Sequence, residues 1–505
     1  MPSTRGGGVT TDQRWSCAGG LILFAVALFS ACHWPVYPYF LDSYYHLSVI
    51  QGFIDAGGPV THAFWEAAPA GRPHLYPILF HLLFLPARLM GVGPLPLARF
   101  WTWAGFPLLL AAAGLVGRRL KTERRATLTV LLLATPYSFF LGSINFVPAT
   151  LVLLAALGIA LALDRNRPLA AGLFLGLAFW THAGLPWLLA LSLLIFGLIS
   201  PAHRKSAFRA LGIGWLAASP WLIHQARHLA LLQPQPRGED QLLETPFLAV
   251  ALGLWGVRSA WKEGGLSRFW IALALGFLPM GLGYRARFLS TQGLFPFLML
   301  GGIALDHGAE RVRFRGVAPV LLALILFGSP SFHFSPKTRR VAWGDTTLGI
   351  LSGAVAPVPR GTAVSLYQSK FMGELAAAAR AHTQPDELIF CNVHYLGGML
   401  SVLSGRATTN QMLREMADRP LEDQIRPARL IVCVKDPTGK LRPTGAEMAL
   451  QFHLRPLGET ELANLYYNPT AEGRRKVVRA WIPWWLACGI MGLAVGLAFR
   501  DLTRP

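Results

Sequence analysis

Leu21-Ile22-Leu23-Phe24-Ala25-Val26-Ala27-Leu28-Phe29-Ser30-Ala31 carries no charge and lies inside an apolar segment running from Trp15 to Trp34. Directly after it comes Tyr37-Pro38-Tyr39-Phe40-Leu41-Asp42-Ser43-Tyr44-Tyr45-His46-Leu47, an aromatic stretch around one carboxylate. About 20 apolar residues suffice to cross the ~30 Å of bilayer hydrocarbon, so the first segment reads as a membrane helix. Arg5 and Arg14 before it would also suit a signal peptide, but Phe29 spoils the cleavage-site pattern at Phe29-Ser30-Ala31-Cys32. An uncleaved anchor with its N-terminus in the cytoplasm is expected. Aromatic residues beside a membrane helix mark the interface, which places Asp42 at the membrane surface.

The same pattern recurs outward along the chain. Apolar runs follow at Leu95 to Gly117, Ala126 to Gly142, Phe146 to Leu163, Pro168 to His182, Leu185 to Ser200 and Phe208 to Ile223. Others lie at Pro246 to Gly256, Phe269 to Tyr284, Phe288 to Leu305, Gly316 to Phe332 and Trp481 to Phe499. Of the 505 residues, 53% are hydrophobic and 14% charged, against about 25% charged in soluble domains. A soluble enzyme or a nucleic-acid-binding protein is thereby excluded as a reading of the whole chain. The net charge of +20 sits largely in short basic clusters between apolar runs. These include Arg118/Arg119/Lys121/Arg124/Arg125, Arg165/Arg167, Arg204/Lys205/Arg209, Arg258/Lys262/Arg268, Arg311/Arg313/Arg315 and Arg500/Arg504. They occupy every second loop, the positive-inside alternation.

The fold class expected is a mainly α, polytopic transmembrane bundle of about 12 crossings with both termini inside. The alternation survives only if the Pro-rich segment Pro73 to Met90 does not cross, so that segment reads as re-entrant or interfacial. Arg474, Arg475, Lys476 and Arg479 run against the alternation, although long translocated domains obey the charge rule poorly. Residues 335–479 hold 13 of the 26 acidic residues and no membrane-length apolar run. Ser369 to Ala381 and His394 to Leu403 read as helices, and Glu387 to Cys391 and Arg429 to Val434 as strands, giving a small extracytoplasmic α/β domain. The expected division is 1–334 as the helical domain with a first outer loop at 35–72, then 335–479, then a last membrane helix and tail at 480–505. No phosphate-binding glycine motif occurs, and Cys391 and Cys433 read as core residues, so no disulfide framework is encoded.

Catalytic carboxylates are few. Thirteen acids lie outside 335–479, and seven of them (Asp12, Glu123, Asp164, Glu263, Asp306, Glu310, Asp501) fall in or beside the basic loops. Six remain for the opposite face: Asp42, Asp55, Glu66, Glu239, Asp240 and Glu244. Asp42 is singled out by its aromatic surroundings, where low dielectric favours a base or ligand; it can also cap a helix from Ser43 to Phe53. His33, His46, His62, His74 and His81 crowd the first outer segment without metal-ligand spacing. Arg285 and Arg287, in Tyr284-Arg285-Ala286-Arg287-Phe288, stand opposite the basic loops, where an anion or lipid headgroups would answer their charge. Thr181-His182 and His224 reach the same face as helix-end groups.

Four features together resemble the GT-C superfamily of polytopic glycosyltransferases, which includes protein mannosyltransferases, aminoarabinose transferases and oligosaccharyltransferase catalytic subunits. They are Asp42-Ser43-Tyr44-Tyr45-His46-Leu47 after the first helix, Gly71-Arg72-Pro73-His74-Leu75-Tyr76-Pro77 opening the next apolar segment, Arg287-Phe288 entering a late Pro-containing helix, and the soluble domain. The resemblance implies sugar transfer from a polyprenyl-phosphate donor, with Asp42 acting on the acceptor hydroxyl and Arg287 or Arg285 holding the donor phosphate. Tyr44, Tyr45, His46, His74, His182, Glu239 and Asp240 are candidates for the surrounding pocket. The soluble domain lacks the W-W-D-Y-G motif of oligosaccharyltransferases, and Ser143-Ile144-Asn145 offers no carboxylate. Accordingly no cofactor is expected to be obligatory, and a divalent ion (Mg or Mn) finds little support. The expected partners are membrane lipids, the polyprenyl-phosphate sugar and a glycan, lipid or protein acceptor, with no nucleic acid. The bacterial inner (plasma) membrane is the expected location. The rival reading is a polytopic transporter or flippase of a lipid-linked or anionic substrate.

Overall fold

The computed structural model describes residues 10–34, 38, 42–231, 243–283, 285–311, 318–335, 340–347, 370–412, 419–435 and 443–504. Helix α1 (Thr11–Cys32) starts from a capping box in which Thr10 and Gln13 bond each other's backbone N–H, satisfying two donors that a helix start leaves open. It is followed by α2 (Asp42–Ala56), α3 (Leu79–Leu89), α4 (Pro94–Leu120), α5 (Glu123–Ala134), α6 (Tyr137–Ser143), α7 (Ala149–Asp164) and α8 (Pro168–Phe179). Then come α9 (Leu185–Ile199), α10 (Arg204–Arg227), α11 (Phe247–Glu263), α12 (Ser267–Phe277), α13 (Met280–Gly283), α14 (Arg285–Ser290), α15 (Phe295–Arg311) and α16 (Ala318–Gly328).

Prolines and glycines cut the apolar runs into these pieces. Pro136 separates α5 from α6, which meet at 84°, because proline lacks the N–H that would continue the ladder. Among the described residues three helices are long and apolar enough to cross a membrane singly, α1, α4 and the last helix Trp484–Thr503, or up to five spans if each of two bent pairs is one. The twelve apolar runs therefore do not each become one membrane-length helix. The run expected from Gly316 to Phe332 stops as helix at Gly328, and Pro330–Ser335 turns into strand.

Strands β1 (His62–Ala63) and β2 (Arg72–Pro73) form a small antiparallel pair inside the first long loop. Strands β3 (Leu243–Pro246), β4 (Pro330–Ser335) and β5 (Arg340–Thr346) form an antiparallel sheet beside the helices. The late part of the chain supplies α17 (Lys370–His382), β6 (Leu388–Cys391), α18 (His394–Ser404), β7 (Ala407–Thr408), α19 (Leu421–Ile425) and β8 (Leu430–Val434). It ends with α20 (Gly445–Gln451), β9 (Arg455–Glu459), β10 (Ala463–Tyr467) and α21 (Trp484–Thr503). The sheet order is β7-β6-β8-β10-β9, parallel on one side of β8 and antiparallel on the other.

The first long loop and this α/β unit share one apolar core. Tyr44, Val49, Phe53, Phe64 and Trp65 pack in the same cluster as Met372, Ile389, Met399, Leu430 and Val432. Backbone bonds join them too: Ala67 N–H to Asn410 O (2.9 Å), Ala68 N–H to Thr408 O (3.1 Å) and Thr408 N–H to Trp65 O (3.0 Å). Gly52 permits the approach, since a Cβ there would meet Trp65 Cε3 at 2.0 Å.

Candidate active site

Helix α2 positions the first candidates. Asp42 opens it and is exposed, and a carboxylate in a first turn is favoured by the helix dipole. The expected helix from Ser43 to Phe53 runs slightly longer, with Asp42 in its first turn. Tyr45 and His46 follow three and four residues later, on the same helical face. Tyr44 is buried, and burial pushes its hydroxyl up to about 12 against the opposing charge of Arg99.

His46 Nδ1 lies 3.0 Å from His81 Nε2, both rings buried, so one imidazole donates to the other. Around this pair the ring centroids of His46 and Tyr76 are 4.9 Å apart, and those of Tyr45 and Tyr76 5.8 Å. His74 packs against Trp65 at 5.5 Å and Phe53 at 5.7 Å, with neither ring nitrogen hydrogen-bonded among the described residues. Burial first, then the neighbouring imidazoles and, for His74, Arg72, hold His46 and His74 well below the usual histidine range. Both are therefore neutral at physiological pH. From α10, His224 Nε2 donates to His74 O (2.9 Å) and Gln225 Nε2 to Leu75 O (3.2 Å), fixing the strand-like segment that carries them.

His182, in the turn between α8 and α9, extends the cluster through Tyr76 at 5.9 Å. Its Nδ1 accepts the backbone N–H of Gly184 (3.0 Å) and Leu185 (3.2 Å). That role as a helix-end group leaves its proton on Nε2. Arg287, exposed on α14, acts electrostatically on His182. Tyr45, His46, Tyr76 and His182 thus form one connected array, with Arg287 bearing electrostatically on its His182 end.

The remaining candidates separate. Glu66 is wholly buried; one oxygen accepts from Arg72 Nη2 and the other from Met412 N–H at 2.6 Å. Asp55 is paired with Arg475 at 2.6 Å and accepts from Gln51 at 2.9 Å. Glu239 and Asp240 lie outside the described residues, as do the side chains of Glu244 and Arg285. Among the described residues no three His, Cys, Asp or Glu side chains gather as a metal site. Glu66 is committed to Arg72 and the 143–145 turn holds an asparagine, so neither offers a free carboxylate to a divalent ion. His81 and Tyr76 were not among the pocket candidates; Tyr76 lies in the quoted 71–77 stretch, while the His46–His81 contact spans 35 residues and leaves no local signal.

No protein-family model matches the chain, and no curated protein matches it in sequence. Solved structures do match. An Archaeoglobus fulgidus oligosaccharyltransferase in complex with Zn and sulfate superposes with a TM-score of 0.52 at 13% identity, over 77% of this chain and 62% of that one. ArnT from Cupriavidus metallidurans in the apo state matches with a TM-score of 0.51 at 13% identity, over 89% of this chain and 98% of that one. ArnT bound to undecaprenyl phosphate matches with a TM-score of 0.50 at 14% identity, over 91% and 99%. The chain thus spans under two thirds of the archaeal enzyme's length and almost all of ArnT.

Proposed function

We propose that this chain, which has the fold of the GT-C glycosyltransferases, is a membrane glycosyltransferase using a polyprenyl-phosphate sugar. The observation that carries the reading is the aromatic and imidazole array of Tyr45, His46, Tyr76 and His182, with exposed Asp42 one helical turn before Tyr45 and His46 and exposed Arg287 acting electrostatically on His182. A neighbour of the same fold holds undecaprenyl phosphate, the donor chemistry an arginine suits.

In the proposed reaction an acceptor hydroxyl attacks the anomeric carbon while Asp42 takes its proton. The bond from that carbon to the donor phosphate oxygen breaks, the electron pair stays with the phosphate, and Arg287 or Arg285 stabilises the charge. Tyr45, His46, Tyr76 and His182 shape and dry the pocket. No step is routed through a metal ion. About 12 crossings, the soluble unit at 335–479 outside the cytoplasm, a non-spanning 73–90 segment and the inner membrane belong to the same proposal. Helix α3 supports it, since 11 residues reach only about 17 Å at 1.5 Å per residue.

Purified protein incubated with polyprenyl-phosphate sugars and candidate acceptors should release the polyprenyl phosphate and glycosylate an acceptor. Substrate-gated flux in liposomes without turnover would favour the transporter instead.

A further inference from the structure

Just before α21 the sequence reads Arg474-Arg475-Lys476-Val477-Val478-Arg479-Ala480-Trp481-Ile482-Pro483-Trp484-Trp485. Four cations and three indoles stand within twelve residues of a membrane-length helix. The structure divides the cations into two kinds. Arg474 pairs with Glu387 at 2.6 Å and Asp386 at 3.4 Å, and Arg475 with Asp55 at 2.6 Å. Lys476 and Arg479 are exposed and make no ion pair or hydrogen bond among the described residues.

The backbone beneath them is fixed. Ala480 N–H donates to Ala56 O (3.1 Å), Trp481 N–H to Pro59 O (3.3 Å) and Trp484 N–H to Gly57 O (3.1 Å), strapping the segment to the end of α2. Gly58 allows this contact: at φ +157° a Cβ would strike Ile482 O at 2.3 Å. Between the two segments opens a cleft of about 630 Å³, walled by Ile54, Ala56, Gly57, Val477, Arg479 and Pro483. Asp55 also borders it, but its carboxylate is already answered by Arg475 and Gln51.

Depth follows from the tryptophans. Trp481, Trp484 and Trp485 are 54%, 36% and 61% exposed, and exposed indoles at the start of a membrane helix lie at headgroup level. A rigid, open cleft at that level, with Arg479 in its wall and exposed Lys476 next in sequence to the wall residue Val477, suits an anionic group attached to an acyl chain.

We propose that this cleft binds the headgroup of an anionic phospholipid from the adjacent leaflet, with Lys476 and Arg479 on the phosphate and the chain lying along Trp484 and Trp485. The site accounts for the two cations that the charge alternation leaves unexplained. It is separate from the array around His46 and needs no turnover to be observed.

The test is lipid retention by the full-length protein, purified from detergent and offered mixed phosphatidylglycerol and phosphatidylcholine, read by native mass spectrometry. The wild type should retain phosphatidylglycerol preferentially. Lys476→Gln/Arg479→Gln should lower that retention about 30-fold, since each of the two cations near a surface contributes about 1 kcal/mol. Arg380→Gln/Arg455→Gln, which removes the same charge from exposed positions on the α/β unit, should retain wild-type binding. Lys476→Arg/Arg479→Lys should also retain it, which separates lost charge from lost folding. Equal retention by the first variant and the wild type, no preference in the wild type, or equal loss in the charge-conserving variant would each overturn the proposal.

Discussion

Glu66 and Asp42 both belong to the first long loop, yet their surroundings give them opposite chemistry. Glu66 is fully enclosed, with both oxygens accepting hydrogen bonds, from Arg72 and the Met412 amide; it ties the loop to the α/β unit, and its burial keeps it from a substrate. Asp42 stays exposed at the head of α2, where a substrate can reach it. Sequence reasoning ranked them in this order from the aromatic context of Asp42 alone. It could not see the Glu66–Arg72 pair as a lock, because Met412 is 346 residues away. For Arg287, the account expects the Ala variant to raise KM for the lipid-linked sugar and lower kcat. Losing a charge-assisted phosphate contact costs about 1.5 to 3 kcal/mol, roughly 10- to 150-fold in kcat/KM. Steady-state kinetics over a donor titration checks this, and wild-type kinetics would return Arg287 to lipid headgroups.

At the scale of elements, the loop carrying His46 and His74 is held in place while both imidazoles are neutral. Their folded values are depressed by burial, so the unfolded chain takes up protons first as pH falls below about 6.5. The stability this burial provides is complete above about 6.5 and declines below it. The melting temperature should drop between pH 7.5 and 5.5, and His74→Leu should narrow the drop; an unchanged gap in the variant would remove His74 from the cause. Of the late elements, α17, β6, α18 and β8 were legible within a residue or two, because apolar strands and amphipathic helices alternate there, whereas the two-residue β7 and five-residue α19 between them were too short to read. Strands β9 and β10 were not legible either: every residue of β9 is exposed, and Ala463-Asn464-Leu465-Tyr466-Tyr467 of β10 lacks the aliphatic run that marks β6 and β8. The interruptions of the apolar runs were also hidden, since hydropathy records composition while Pro136 and Pro330 decide where a helix stops.

For the whole molecule, ion pairs and hydrogen bonds gather helix ends that the charge alternation would assign to the inside. Asp306, wholly buried, receives Arg124 at 2.7 Å and Arg125 at 3.1 Å, and Arg125 reaches Glu263 at 2.8 Å, drawing the ends of α5, α11 and α15 together. Asp501 near the end of α21 accepts the Ala170 N–H at 3.0 Å, while Arg165 donates to Leu502 O. All of these residues lie in loops or helix ends assigned to the inside. In intact spheroplasts, with Cys17 and Cys32 replaced, a membrane-impermeant thiol reagent should label Glu461→Cys and spare Arg119→Cys, both exposed positions. The reverse pattern would invert the proposed topology.

The central claim is that Asp42 is the base of a sugar-transfer reaction, and Asp42→Asn isolates it. Asparagine keeps the size and most of the helix-start preference, so folding and membrane insertion should be unchanged. Single-turnover transfer from a polyprenyl-phosphate sugar, measured on equal amounts of purified wild-type and variant protein, is the direct measurement. The variant's rate should be lower on the order of 10²- to 10⁴-fold, the usual worth of a positioned proton acceptor. A variant that transfers sugar at the wild-type rate would contradict it.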